Sequence, residues 1–441
     1  MKAKSDILGT EKIPKLLLKM SAPAVVGMLV MTLYNIVDSI FIGHKVGALG
    51  LGAVGVVFPL IMLVVALSMG FGIGASSIIS RKLGEKDKEH AQKVFGNFLS
   101  ALLLISFLFS LFGVLFIDKL IYLLGSSDSI FPYAKQYLLP LLFGLSFQII
   151  SASLTNIVRS VGSAKTAMIS MILGSLTNLV LDYLFLFVFN FGIAGAAYAT
   201  VISQLLSSLF LIFYFLKKNS ELRLQLLPFN IPILKSIFII GFPSFIRQSS
   251  MSVAGIIINH ILLRLGGDMA LSAYTIAFRI MMVLVLPAMG IMQGSQPIIG
   301  YNYGAKKLDR VKHTLMLSII SSTAIVFISF LFIFFFPELC INLFTKDSEL
   351  ISFTSHALTL IILSSPLIGF QFMVQGYFQA IGKAKEALIL SMMRQVICLI
   401  PLLFIFPILF GLNGVWIAYP VSDIISSTVT AILLRKELQI M

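Results

Sequence analysis

Residues 193–216, IAGAAYATVISQLLSSLFLIFYFL, form a run of 24 residues without a charged side chain. A bilayer hydrocarbon core about 30 Å thick is crossed by about 20 apolar helical residues. Lipid offers the backbone no hydrogen-bond partner, so a stretch of this kind crosses a membrane as an α-helix. The segment therefore predicts a transmembrane helix.

Comparable stretches recur from end to end of the 441-residue chain, which is 58% hydrophobic and only 11% charged. Soluble proteins carry about 25% charged residues, so a soluble fold would need a core too large for so few charges. The sequence predicts an all-α polytopic membrane protein with about twelve transmembrane helices. The predicted spans cover residues 15–43, 49–80, 92–117, 133–158, 165–190, 193–216, 234–264, 269–301, 314–337, 353–380, 385–410 and 413–434.

The net charge of +14 is distributed unevenly between the two sides of the membrane. With the N-terminus placed inside, 24 of the 32 Lys and Arg residues fall in inner segments, five in outer connections and three within spans. This is a strong positive-inside bias, which predicts both termini in the cytoplasm. The surplus is thus a topology signal and predicts no nucleic-acid partner.

Several site classes find no support in the sequence. Cys340 and Cys398 suggest no disulfide framework, and the five His residues show no metal-ligand spacing, so we expect no metal and no cofactor. No nucleophile motif is present, and we expect no enzyme activity. The polar N-terminus lacks the apolar core of a cleaved signal, so the first span is expected to remain in the mature protein.

The chain matches itself at a constant offset of 220 residues. Paired glycines and prolines at one register are not expected from unrelated apolar helices. The matching pairs are Pro23/Pro243, Gly47/Gly267, Leu51/Leu271, Ala53/Ala273, Phe58/Phe278, Gly70/Gly290, Gly74/Gly294, Gly84/Gly304, Gly162/Gly382, Ala164/Ala384 and Lys165/Lys385. We predict two pseudo-symmetric six-helix lobes, 1–216 and 235–441, joined by a cytoplasmic linker at 217–234. Six spans per half relate the lobes by an axis along the membrane normal, which is typical of a secondary transporter with its binding site between them.

Two carboxylates lie well inside predicted spans of the first half. Asp38 is on the first span, and Asp182 follows Asn178 by one turn on the fifth, while Thr200 lies on the sixth among small residues that allow close helix packing. A charged residue at mid-membrane costs about 2.5–3.5 kcal/mol and indicates a function. If these faces converge, their oxygens suit a hard monovalent cation or a shared proton.

The second half carries the opposite charge inside its spans. Arg394 and Asp423 could pair as a structural bridge, while Arg247 and Arg279 lack an obvious acidic partner. These two arginines could lie near a helix end, face water or meet an anionic substrate group. Pro23 is a candidate hinge in the first span, since proline removes a backbone hydrogen bond, although a static kink explains it equally well.

At these residues the chain resembles the multidrug and toxic compound extrusion (MATE) transporters, in particular their DinF-like and MepA-like branch. The resemblance covers the whole chain and is most specific in the string from Tyr34 to Gly43, which contains Asp38, and in Asn178, Asp182 and Thr200. It implies that these four residues bind the coupling ion, H⁺ or Na⁺, with Tyr137 nearby. It also implies export of cationic or amphipathic compounds across a prokaryotic plasma membrane.

One feature departs from other branches of that family, which place acidic residues on the seventh and tenth spans. Here the seventh span has Arg247 and Gln248, and the tenth has glutamines. Coupling is therefore expected to fall on the first half. The candidate substrate cavity comprises Met31, Tyr34, Asn35, Tyr137, Gln371 and Gln375.

Two interpretations of the function remain open. The first is a multidrug antiporter that works as a monomer and confers drug resistance, in which soft methionine side chains suit varied ligands. The alternative is a flippase for lipid-linked oligosaccharides of the same superfamily, which Arg247 and Arg279 keep open because such flippases have a more basic cavity.

Overall fold

The computed structural model describes residues 4–217 and 220–440, so the predicted inner-side residues Lys2 and Lys218 lie outside the described part. Within it, every element of regular secondary structure is helical. Ten helices are long and apolar enough to cross a membrane, and a bent helix pair makes an eleventh. A break at Gly267 divides the 74-residue helix Ile231–Gly304 in two. The described residues therefore form twelve spans, as predicted.

The spans are numbered one to twelve in chain order. Their bounds are Ile13–Lys45, Ala48–Gly84, Lys88–Leu115, Phe131–Ser160, Ala164–Val188, Ile193–Leu216, 231–266, 268–304, Leu308–Phe335, the pair Ser348–Ile362 and Pro366–Ile381, Ala384–Phe410, and Leu412–Ile440. Three short helices, Asp6–Thr10, Ile117–Leu123 and Pro337–Ile341, lie between or before them.

Two of the differences from the predicted helix bounds have a clear physical cause. The seventh span begins at Ile231, capped by the Asn230 side chain, which accepts from the Ile233 N–H at 3.2 Å, so the predicted linker 217–234 ends inside a helix. The tenth span is bent by 46° between Ile362 and Pro366 rather than continuous. Proline has no N–H for the preceding turn, which is the physical reason for this break.

Backbone geometry confirms the 220-residue repeat. Gly47 and Gly267 both have positive φ, 82° and 59°, and Gly162 and Gly382 have φ of 80° and 84°. Lys86 and its mate Lys306 also have positive φ, 63° and 57°. A non-glycine residue rarely adopts this conformation, so the shared value reflects the same turn built twice.

Repeat-related glycines close one end of the interface between the halves. A Cβ at Gly84 would overlap the Tyr301 carbonyl, and one at Gly304 would overlap the Arg81 carbonyl. These residues lie in or beside the Lys- and Arg-rich segments 81–93 and 305–312, and we call this side of the helices the basic end. The second and eighth spans thus touch backbone to backbone there, as only glycine permits.

Two further repeat mates extend this contact toward the middle of the helices. A Cβ at Gly74 of the second span would overlap the Ile237 carbonyl of the seventh. A Cβ at Gly294 of the eighth span would likewise overlap Ser21 of the first. Beyond them, toward the opposite end, a Cβ at Gly55 or Gly255 would meet no atom within 4 Å. The backbone contacts that exclude a side chain therefore lie toward the basic end.

A short N-terminal segment reinforces the basic end. The Leu8 carbonyl accepts a hydrogen bond from Asn302 Nδ2 at 2.8 Å, and the Gly9 carbonyl accepts one from Lys307 Nζ at 2.9 Å. Arg310 Nη2 donates to the Glu11 carbonyl at 2.8 Å. Residues that precede the first span are thereby bound to the second half of the chain.

Substituting Gly74 by Ala tests the backbone contact. In an exposed helix Gly→Ala is favourable by about 1 kcal/mol, whereas overpacking costs about 1–3 kcal/mol. Because the new Cβ would overlap the Ile237 carbonyl, we expect Gly74→Ala to lower the thermal unfolding midpoint in detergent.

The matched control is Gly55→Ala, which adds the same methyl group to the same helix where no atom lies within 4 Å. Its midpoint should stay unchanged or rise. Equal midpoints for the two variants would contradict a tight contact at Gly74.

Candidate functional site

The structure brings the acidic residues of the first half together. The carboxyl groups of Asp38 of the first span and Asp182 of the fifth interact directly with each other. Asp182 is fully buried, and Asp38 is partly buried. The two spans also pack closely at Gly27, where a Cβ would approach the Met171 sulfur at 2.8 Å. The predicted convergence of these two helix faces is thus present in the structure.

Each carboxyl group of this pair has one oxygen without a donor. Asp38 Oδ1 and Asp182 Oδ1 are both buried, and neither accepts a hydrogen bond from any described residue. An ionised carboxylate only accepts hydrogen bonds, so two facing carboxylates need a proton or a cation between them. The geometry therefore fits a site that binds H⁺ or a small cation.

Asn178 and Thr200 support Asp182. In the amide orientation that satisfies both its polar atoms, Asn178 Nδ2 donates to Asp182 Oδ2 at 2.9 Å and its Oδ1 accepts from the Thr200 N–H at 3.3 Å. The Thr200 hydroxyl donates to the Ala196 carbonyl at 3.0 Å. Thr200 thus takes part in the cluster through its backbone N–H, and the side-chain nitrogen of Asn178 faces Asp182.

Two tyrosines lie next to the acid pair. Tyr34 and Tyr137 both interact electrostatically with Asp38 and Asp182. Tyr137 is buried, whereas Tyr34 is half-buried, one turn before Asp38 on the same helix face. A phenol beside a carboxylate can donate to it when the ion leaves.

The other predicted cavity residues fall into two groups. Met31 is 45% exposed, and Asn35 is exposed with its Nδ2 donating to the Met31 carbonyl at 2.7 Å. Gln371 and Gln375 are instead buried in helix contacts: Gln371 Nε2 donates to Ser427 Oγ at 2.7 Å, and Gln375 Nε2 donates to Ser391 Oγ at 2.5 Å. The structure does not bring these two glutamines to the acid pair.

The candidate hinge, Pro23, lies inside the continuous helix Ile13–Lys45 and is half-buried. It sits between Ser21 and Val25, which pack against Gly294 and Gly290 of the eighth span. A bend at this position would therefore act where the two halves touch.

The predicted pairing of Arg394 with Asp423 is confirmed. Arg394 Nε lies 2.5 Å from Asp423 Oδ1, and Ser364 Oγ, in the break of the tenth span, donates to Asp423 Oδ2 at 2.8 Å. Ser422 Oγ donates to the Arg394 carbonyl at 2.5 Å, within a π-helical segment. Both charges are thus neutralised within the second half.

The remaining arginines have different surroundings. Arg279 is exposed on the eighth span, while Arg247 is buried. Sequence reasoning also missed the buried pair Tyr274 and Tyr419, whose hydroxyls lie 2.8 Å apart between the eighth and twelfth spans. Tyrosine within a span gives only a weak signal, because phenols are equally common at membrane surfaces.

Metal chemistry has no obvious set of ligands in this fold. Among the described residues, no group of three or more His, Cys, Asp and Glu side chains is arranged to hold a metal ion. The acid pair supplies two carboxylates, a set that fits a proton or a monovalent cation better than a transition metal.

Almost the whole length of this chain is similar to known proteins. The MatE family model matches twice, at residues 23–184 and 243–405. "Multidrug export protein MepA" of Staphylococcus saprophyticus is 30% identical over 416 residues, which cover 93% of this chain and 90% of that protein. MepA of Staphylococcus aureus is 30% identical over 409 residues, which cover 92% and 90%.

Solved structures agree. The MATE multidrug transporter DinF-BH, solved in complex with a ligand, is 41% identical, with a TM-score of 0.92 over 99% of this chain and 98% of that one. An outward-facing multidrug resistance MATE family transporter of the MOP superfamily is 30% identical, with a TM-score of 0.94 over 100% and 99%. Two family matches in one chain, full-length relatives and the shared fold together show that this protein belongs to the MatE family of membrane transporters.

Proposed function

We propose that this protein is a multidrug efflux antiporter that exports cationic or amphipathic compounds in exchange for inward H⁺ or Na⁺. The observation that carries the proposal is the pair Asp38 and Asp182, two facing carboxyl groups with donor-free buried oxygens. A pair of this kind changes its net charge when one ion binds. Named relatives are multidrug exporters, which supports the same role here.

The orientation follows from charge. Lys and Arg concentrate at the basic end, so we place that end and both termini in the cytoplasm of a prokaryotic cell. Glycine contacts close this end, whereas a Cβ at Gly55 or Gly255, toward the other end, would meet no neighbouring atom. The described arrangement is then the outward-open state, in which a substrate leaves and an ion enters.

Exchange can be derived from competition for the same carboxylates. Without a bound ion the pair attracts a cationic substrate, and with a proton or sodium ion bound it does not. Binding of either partner therefore weakens binding of the other, which is a negative coupling between them. The ion that enters from outside releases the substrate, and the return to the cytoplasmic side carries the ion inward.

The Asn178 amide is compatible with either ion. In the orientation that satisfies both of its polar atoms its nitrogen donates to Asp182, and the opposite orientation would present its oxygen to a cation. One proton releases about 1.4 kcal/mol per pH unit and about 2.3 kcal/mol per 100 mV of membrane potential. Both contributions act if the positive charge crosses without a compensating cation. A monomer contains the whole site, because all the acid-pair residues belong to one chain.

Replacing either acid tests the coupling. In liposomes that contain the purified protein, we expect a cationic dye to be transported under an imposed pH gradient or an imposed sodium gradient, and the gradient that drives transport identifies the coupling ion. Asp38→Asn and Asp182→Asn should each abolish gradient-driven transport, since a single carboxyl group no longer switches the net charge of the pair.

Asp128→Asn is the matched control, because Asp128 is exposed in the connection before the fourth span. It should transport like the wild type. Dye transport that persists in both acid variants would remove the site from the mechanism, and no wild-type transport under either gradient would argue against an antiporter.

Asn178→Ala tests the support of Asp182. It removes a hydrogen bond to a carboxylate, an interaction worth about 1.5–3 kcal/mol. We expect roughly a tenfold or larger change in the proton concentration that half-saturates transport, with the maximal rate less affected. An unchanged pH profile, in protein with an unchanged thermal midpoint, would show that the amide does not act on Asp182.

A further inference from the structure

The first and fifth spans run side by side in the same direction, and two contacts define their register. Gly27 of the first span lies eleven residues before Asp38. It contacts Met171 of the fifth span, which lies eleven residues before Asp182. A Cβ at Gly27 would come within 2.8 Å of the Met171 sulfur. The acid pair therefore has a close helix contact on its basic-end side, roughly 16 Å away at 1.5 Å per residue.

On the other side of the acid pair the same two spans meet through aromatic rings. The ring centroids of Phe41 and Phe187 lie 5.4 Å apart in an edge-to-face arrangement, and Tyr183 stacks on Phe187 at 5.6 Å. Phe41 follows Asp38 by three residues, close to one helical turn. The Phe41 ring therefore lies between the acid pair and the end opposite to the basic end. We call Phe41 and Phe187 the aromatic cap.

The π-helical segment Leu184–Val188 brings Phe187 to this position. Phe187 follows Asp182 by five residues, and in a regular α-helix its side chain would point roughly 140° away from that of Asp182. In the π-helical segment a hydrogen bond spans five residues, from the Phe189 N–H to the Leu184 carbonyl at 2.8 Å. The longer turn rotates Phe187 back onto the face that meets the first span.

The second half has neither the acid pair nor the cap at the matching positions. The 220-residue offset gives these mates: Ile258 for Asp38, Ile261 for Phe41 and Pro407 for Phe187. The chain around Pro407 is α-helical, in the segment Ile400–Phe410. Aromatic rings that serve only as membrane-surface anchors are expected in both halves. Their restriction to the half with the carboxyl groups indicates a role at the acid pair.

The open approach to the acid pair is from the side. Asp182 is fully buried, whereas Asp38 is partly exposed. Beyond the cap, Lys45 Nζ lies 5.8 Å from the Phe187 ring centroid, so the outer face of the cap carries a positive charge that repels a cation. Hydrocarbon is no route for an ion, because a charge there is costly. The remaining route leads from the space between the two halves.

We propose that Phe41 and Phe187 form a seal that closes the acid pair toward the outside while the space between the halves faces the cytoplasm. Both rings belong to the first half, so they stay together when one half moves against the other. The Gly27–Met171 contact closes the opposite side in the same way. An ion on the acid pair can then leave only through the space between the halves, which makes exchange obligatory. The inference rests on the proposed antiporter function and adds the residues that prevent uncoupled ion flow.

Ion flow in the absence of substrate tests the seal. Liposomes that contain purified protein would receive a pH gradient, with the membrane potential clamped by valinomycin and potassium and the internal pH followed with pyranine. A parallel sample would follow the release of radioactive sodium, so that either coupling ion is detected. Phe187→Ala leaves a space that water can enter, so we expect the gradient of the coupling ion to decay about tenfold faster than with the wild type. Phe187→Leu, which retains most of the bulk, should leak less.

Phe189→Ala is the matched control, because it removes the same ring from an exposed position two residues further along the chain, outside the cap. Its leak should equal that of the wild type. Phe187→Ala combined with Asp182→Asn should lose the added leak, since the acid pair no longer carries an ion. The double variant thus distinguishes flow through the acid pair from a leak caused by misfolding.

A Phe187→Ala variant as tight as the wild type, or an added leak that persists in the double variant, would overturn the seal. So would wild-type protein that leaks as fast as Phe187→Ala. In each of these cases substrate transport by the wild type under an ion gradient would leave the exporter function standing. Wild-type protein that transports no substrate under either gradient would overturn the exporter function and, with it, the seal.

Discussion

The bilayer leaves a backbone N–H or C=O no partner except the chain itself, and this constraint shapes every part of the protein. It makes all the spans helical and confines each irregularity to a place where protein covers it. The bend before Pro366 puts Ser364 on Asp423, and the π-helical segment Met393–Leu399 frees the Arg394 carbonyl for Ser422. A second π-helical segment, Leu184–Val188, follows Asp182 directly. The departures from α-helix thus coincide with the buried charges, where side chains satisfy the backbone groups that the helix releases.

The same constraint explains how a duplicated backbone can serve two chemistries. Repeat-related glycines hold the halves together at the basic end, and these positions tolerate no side chain. Positions farther along the same helices are free to differ. The first half keeps two carboxyl groups, whereas the second has Ile258 at the position that corresponds to Asp38 and a neutralised Arg394–Asp423 pair. One repeated backbone therefore carries acidic groups in one half and a neutral ion pair in the other.

Much of the site could be predicted from the sequence because charge inside a span is rare and costly. Asp38 and Asp182 stood out for that reason, and helical periodicity placed Asn178 beside Asp182. Glutamines give no such signal. Gln371 and Gln375 share a face suited to a cavity, but their amides bind Ser427 and Ser391 instead, because an uncharged polar group serves equally well as a contact between helices.

The helical fold, the number of spans, the repeat and the identity of the buried charges could all be derived from the amino-acid sequence. Each of these depends on composition and residue spacing along one chain, because a long apolar segment crosses the bilayer as a helix. The tertiary structure alone decided which charges meet. Arg394 forms an ion pair with Asp423, whereas the guanidinium of Arg247 contacts Met292 and Phe372, because distances between helices are set by packing across the bundle and not by residue spacing along the chain. The partners of a charge, and hence its role, could be known only once the helices were assembled.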